Sequence, residues 1–92
     1  MFTREERAFI IALLEKDIVC EVNGKITIGH TEYRWDLCRI KDHYTGEPWF
    51  CASIGYGTFR HSETADAAMD ALEEELTKLR ARESFIDAAL AD

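Results

Sequence analysis

Proline occurs once, at Pro48, and none of the three cysteines, Cys20, Cys38 and Cys51, has a second cysteine within four residues. Structural zinc sites use close ligand pairs, with roughly two to four residues between partners. The nearest mixed pair here, Cys38 and His43, stands alone. An odd number of isolated thiols excludes a closed disulfide framework and fits a reducing compartment. Long apolar runs are missing too. Ala8 to Leu14 is short, and the longest uncharged stretch, Pro48 to Phe59, is broken by Gly55 and Gly57. Both fall below the roughly 18 apolar residues that cross a bilayer. Met1 to Arg7 mixes acids with bases, and no small-residue cleavage site follows, so no signal peptide is read and a cytoplasmic location is expected.

Catalytic constellations are equally scarce. Gly55-Tyr56-Gly57 has neither the spacing nor the lysine of a phosphate loop. No signature surrounds any cysteine that would pair it with His30, His43 or His61 as a nucleophile and base. Glu73 and Glu74 are adjacent on a predicted helix and so point in different directions. The expectation is a chain that is not an enzyme and uses no cofactor or metal.

What is present is an ordinary globular balance: 92 residues, 47% hydrophobic and 32% charged. That is enough for one core and too little for two, so residues 1–92 are read as a single α+β domain. The net charge of −7 is concentrated at one end. Residues 1–17 carry three bases and four acids, residues 18–61 five of each, and residues 62–92 three bases and nine acids. Between Glu63 and Glu75 there is no lysine or arginine. Exposed helices usually intersperse bases as i,i+4 partners, so this run reads as an acidic surface for a basic protein groove. The acid excess argues against nucleic acid as the main ligand, because phosphate binding depends on lysine and arginine.

Thr3-Arg4-Glu5-Glu6 is a capping box ahead of a predicted helix over residues 4–16, with Phe9, Ile10, Leu13 and Leu14 inward. Asn23-Gly24 lies between Ile18–Val22 and Lys25–Ile28 and predicts a tight hairpin. Tyr33–Lys41 and Pro48–Tyr56 are the third and fourth predicted strands, joined by a turn centred on Thr45-Gly46. That centre sets Trp35 opposite Tyr56 and Leu37 opposite Ile54, and gathers Tyr33, Trp35, Leu37, Ala52, Ile54 and Tyr56 on one face. The other face carries Arg34, Asp36, Cys38, Ile40, Trp49, Cys51 and Ser53, with Cys38 and Cys51 close together. Ser62 or Thr64 caps a long amphipathic helix carrying Ala65, Met69, Leu72, Leu76 and Leu79. Ser84 predicts a kink near Glu83 and a short last helix with Phe85, Ile86 and Leu90. The expected fold is an antiparallel four-stranded β-meander packed against an N-terminal helix and a long C-terminal amphipathic helix.

Three binding readings follow. The acidic run can occupy a groove lined by lysine and arginine. The outer sheet face, with Arg34 and Trp49 and with Lys25, Arg39 and Lys41 nearby, can stack on and pair with single-stranded RNA, as in a small RNA- or DNA-binding regulator. The Leu72, Leu76 and Leu79 stripe can join two copies of the chain.

The stretch from Tyr33-Arg34-Trp35-Asp36-Leu37 through Thr45-Gly46-Glu47, followed by Gly57-Thr58-Phe59-Arg60-His61-Ser62-Glu63-Thr64-Ala65-Asp66-Ala67-Ala68, is a hairpin leading into an alanine-rich helix. In that grammar, and in size, acidity and architecture, the chain resembles phage-encoded anti-CRISPR proteins, especially inhibitors of the type I-F RNA-guided surveillance complex. The resemblance implies a stoichiometric inhibitor in the cytoplasm of an infected bacterial host. It would dock on the basic, guide-RNA-bearing backbone of the CRISPR-Cas effector complex and stop target DNA from binding or hybridising. DNA channels of that kind recognise backbone charge through lysine and arginine. Glu63, Asp66, Asp70, Glu73 and Glu74 would meet the basic subunits, and Arg34, Arg39, Lys41 and Trp49 would touch guide RNA. No membrane is implied, and the chain is expected to be a monomer or weak dimer.

Overall fold

The structure, a computed structural model, describes residues 2–55 and 58–91. Its elements in chain order are α1 (Arg4–Glu15), β1 (Glu21–Ile28), β2 (Thr31–Lys41), β3 (Pro48–Ile54), β4 (Thr58–Ser62) and α2 (Ala65–Leu90). The strands form one antiparallel sheet in the order β1-β2-β3-β4, and both helices contribute to a single core with its inner face. The expected α+β meander with an N-terminal helix and a long C-terminal helix is therefore the fold. No helix among the described residues is long and apolar enough to cross a membrane.

The capping box closes α1 as its sequence requires. Thr3 Oγ1 accepts from the Glu6 amide, and Glu6 Oε1 accepts from the Thr3 amide, both at 3.1 Å. Donation from the Thr3 amide, and then from its side chain, holds the Glu6 carboxyl below its usual range. Ile10 and Leu14 are buried, whereas Phe9 is 65% exposed, which corrects its inward placement. The inner line of α1 runs through half-buried Arg7 and buried Ile10 and Leu14 at helical spacing, and Phe9 projects to one side of it.

The Asn23-Gly24 hairpin does not form. β1 runs straight through both residues, pairing Asn23 with Asp36 and Gly24 with Trp35. The reversal is instead at Gly29, in the left-handed region at φ 63°. Gly24 serves a close approach, not a turn: a Cβ built there would lie 2.7 Å from Trp35 Cζ2. The indole lies across the strand where only a glycine leaves room for it.

The β2–β3 register is shifted by two residues from the expected one. Trp35 pairs with Ile54, Leu37 with Ala52 and Arg39 with Phe50. A two-residue shift preserves the faces, because side chains alternate with period two. Trp35, Leu37, Ala52 and Ile54 accordingly share the core, while Tyr56 lies outside the described residues. The shift comes from the turn. Asp42 Oδ1 accepts from the amides of Tyr44 at 2.8 Å and Thr45 at 3.0 Å, and Gly46 takes φ 75°, which centres the turn on Tyr44-Thr45 and leaves residues 42–47 between the paired Lys41 and Pro48, where a centre on Thr45-Gly46 would leave 42–49.

β4 was not expected. It pairs Cys51 with His61 and Ala52 with Arg60, and restores the strand count after the lost hairpin. α2 is one continuous helix of 26 residues, so the separate last helix expected after Glu83 does not form. Ser84 follows the strong helix formers Ala81, Arg82 and Glu83, with no glycine or proline nearby, and the helix runs on through it. Ala65, Met69, Leu72 and Leu76 are buried as the periodicity predicts, and Leu79 packs at their edge. Beyond it Phe85 and Leu90 are exposed.

Candidate functional site

Asp66, Asp70 and Glu73 recur at i, i+4 and i+7, which places three carboxylates on one line of α2. That line faces α1, and Arg7 reaches into it. Arg7 Nη2 lies 2.8 Å from Asp66 Oδ1 and 2.6 Å from Asp70 Oδ1, and Nη1 lies 2.7 Å from Glu73 Oε1. The three carboxylates, Asp66 foremost, raise the affinity of the guanidinium for its proton. Three negative charges on one positive charge leave the cluster at −2, with the Asp66 and Asp70 side chains about two-thirds exposed, at 65% and 66%.

Glu74 and Glu75 follow on other sides of the helix and also find bases. Arg60 of β4 pairs with Glu74 at 3.4 Å and Glu75 at 2.9 Å, and Lys78 reaches both at 3.4 Å. Glu63 is exposed just before the helix. Five of the six acids of this run therefore meet Arg7, Arg60 or Lys78, and three bases against six acids leave −3 on the run. Bases missing from the linear run are supplied by the fold. Sequence reasoning passed over Arg7 and Arg60. The signal for Arg7 was a charge on the same helical line as Ile10 and Leu14.

Of the basic residues expected on the sheet, only Lys25 and Arg34 are brought together, as direct cross-strand partners of β1 and β2. Arg34 is on the outer face beside Asp36, at 3.6 Å. Arg39 and Lys41 have the opposite parity and belong to the inner face at its turn end. Arg39 Nη1 donates to the carbonyls of Leu14 at 2.9 Å and Glu15 at 2.8 Å. Its guanidinium also lies 5.7 Å from the centre of the Phe50 ring. Arg39 thus caps the C-terminus of α1, whose last turn has no base of its own. Lys41 is exposed. Trp49 is on the outer face, but six residues of strand separate its partner Ile40 from Arg34, a distance of about 20 Å.

Around Trp49 the open face forms a hollow of about 590 Å³ lined by Ile40, Lys41, Asp42, His43, Tyr44, Trp49 and His61. Trp49 Nε1 donates to Asp42 Oδ2 at 3.2 Å, and the Tyr44 ring is almost fully exposed. The amides of Thr45 and Tyr44 hold the Asp42 carboxyl below its ordinary range, with a smaller contribution from Trp49. Further along the same face Cys38 and Cys51 are direct cross-strand partners, as expected from their side of the sheet. Burial, and then Cys38, pushes the Cys51 thiol up to about 12. No grouping of three histidine, cysteine, aspartate or glutamate side chains among the described residues is arranged to hold a metal ion. Elsewhere on this face Lys25 stands opposite Arg34 and pairs with Glu32 at 3.6 Å. No protein-family model matches the sequence, and neither a curated protein nor a solved structure matches it.

Proposed function

We propose that the chain acts by stoichiometric binding, presenting the acidic ridge of α2 to a surface lined with lysine and arginine. The observation that carries this reading is the Arg7 cluster, in which one guanidinium organises three carboxylates yet leaves two of them exposed and the cluster negative. A preorganised anionic ridge suits a basic channel, because complementary charge speeds encounter and selects the partner. Together with the resemblance described above, this reading makes the chain an inhibitor of a type I-F CRISPR-Cas surveillance complex that blocks target DNA in the cytoplasm of the infected bacterium.

The test is reconstitution with the purified surveillance complex, followed by a target-DNA binding assay. The ridge reading expects co-elution and loss of DNA binding, both weakened by Asp66→Lys/Asp70→Lys and by added salt. That variant keeps Glu73 on Arg7, and circular dichroism verifies its fold. Unchanged inhibition by the variant would remove the ridge from the mechanism. The hollow beside Trp49 and Tyr44 favours a second reading, a stacking platform for single-stranded RNA on the outer sheet face. It expects a gel shift that Trp49→Ala abolishes, with steep salt dependence.

A further inference from the structure

β1, with eight residues, and β4, with five, are the outer strands of the sheet. The Arg39 amide donates to the Cys20 carbonyl at 2.8 Å, which fixes the phase of the β1–β2 ladder. Even-numbered residues of β1 direct their backbone groups toward β2, and Glu21, Asn23, Lys25 and Thr27 direct theirs away from the sheet. All four residues are exposed, and β1 is the terminal strand of the sheet. Natural edges resist pairing through proline, bulges, shortness or charge. β1 has no proline, and its register with β2 is unbroken over its whole length. Its one base, Lys25, is accompanied by one acid, Glu21, on the same face and four residues away.

We propose that β1 is a self-pairing edge, through which two copies of this chain join antiparallel across a two-fold axis into one eight-stranded sheet. The charge pattern selects both orientation and register. Antiparallel pairing with Asn23 on the axis sets Glu21 opposite Lys25 of the second copy and Lys25 opposite its Glu21. Parallel pairing in register would instead set like charges against each other. The three close pairs so formed provide about six backbone hydrogen bonds, two per pair. On the inner face the half-buried Val22 and Ile26 gain cover from the second copy. The contact is small beside the roughly 1,200–2,000 Å² of stable interfaces, so the dimer is weak and grows with concentration. It is separate from the Leu72 and Leu76 stripe, which the core buries.

Sedimentation velocity from micromolar to millimolar protein, combined with amide hydrogen exchange, tests this. The expected result is a concentration-dependent dimer. The amides of Glu21, Asn23, Lys25 and Thr27 exchange fast when dilute and slow at least about tenfold when concentrated. Lys25→Glu, at a position 68% exposed and tolerant of the change, raises the dissociation constant about tenfold or more. The swap Glu21→Lys/Lys25→Glu restores it. A monomer throughout the range overturns the proposal. So does a dimer that leaves those four amides unprotected, or one that Lys25→Glu does not weaken.

Discussion

Gly24→Ala separates a strand glycine that makes room for a ring from a glycine that makes a turn. In a strand interior, alanine is ordinarily favoured over glycine by roughly 0.5–1 kcal/mol, because less backbone freedom is lost on folding. Here the new methyl would stand 2.7 Å from Trp35 Cζ2 and 2.9 Å from Cε2. The ring cannot retreat easily. Trp35 is 8% exposed, and Phe2 meets it edge-on with ring centres 5.1 Å apart. Overpacking of a well-filled core costs about 1–3 kcal/mol. Subtracting the backbone gain from the middle of that range leaves a net loss of about 1 kcal/mol, or a Tm lower by roughly 4–8 °C for a domain of this size. Differential scanning calorimetry measures it directly. The same substitution in a Trp35→Phe background identifies the cause, since the shorter ring withdraws from the methyl and the penalty should fall to within about 0.5 kcal/mol of zero. A Gly24→Ala Tm equal to or above that of the parent would refute the close-approach argument. A penalty unchanged in the Trp35→Phe background would place its origin in the backbone, as in a turn.

Three further outcomes are expected. Arg39→Ala removes two hydrogen bonds to the carbonyls closing α1 and the contact over Phe50, and should cost about 2 kcal/mol in urea denaturation; a loss below about 0.5 kcal/mol would show that water caps the helix equally well. Because the folded-state pKa of Asp42 lies below its ordinary 3.8, its contribution to the turn is complete above about pH 4 and is lost as the pH falls through that lower value. Trp49 fluorescence and exchange of the Tyr44 and Thr45 amides should report this acid transition, and Asp42→Asn should abolish it. With thiol reagents near pH 8, exposed Cys20 should react promptly and Cys51 only as fast as the chain opens, its thiol being pushed up to about 12; equal native-state rates would contradict the burial.

Particular residues show why some of this protein was legible in its sequence. The α1 cap was legible because Thr3 and Glu6 act within one turn and need no distant partner. The inner face of β2 and β3 was legible because a period of two survives a shift of two, so the core residues stayed correct while the register did not. Asn23-Gly24 misled because glycine answers two demands, positive φ and close approach, and only the position of Trp35 distinguishes them. β4 was hidden in Thr58–Ser62, five residues with no alternation strong enough to separate a strand from a connection. The Ser84 signal failed because a cap needs an extended backbone, and Ser84 lies inside a helix already running from Ala65 through the strong formers Ala81, Arg82 and Glu83.

The candidate surfaces divide in the same way. The concentration of acid in residues 63–75 is a property of the sequence, and helical spacing alone lines up Asp66, Asp70 and Glu73. Their net field is not, because Arg7 and Arg60 come from elements far away in the chain, and the value of −3 emerges only once α1 and β4 pack beside α2. The assignment of Arg39 to a helix cap was likewise decided by tertiary structure, through where α1 ends, whereas strand parity alone already set Arg34 on the opposite face. Local hydrogen bonds and side-chain period are written in short stretches of sequence, so the α+β class, the α1 cap and the core faces were determined there. Which charges neutralise one another, which glycine accommodates a ring and which strand is left at the edge depend on residues that only folding makes neighbours.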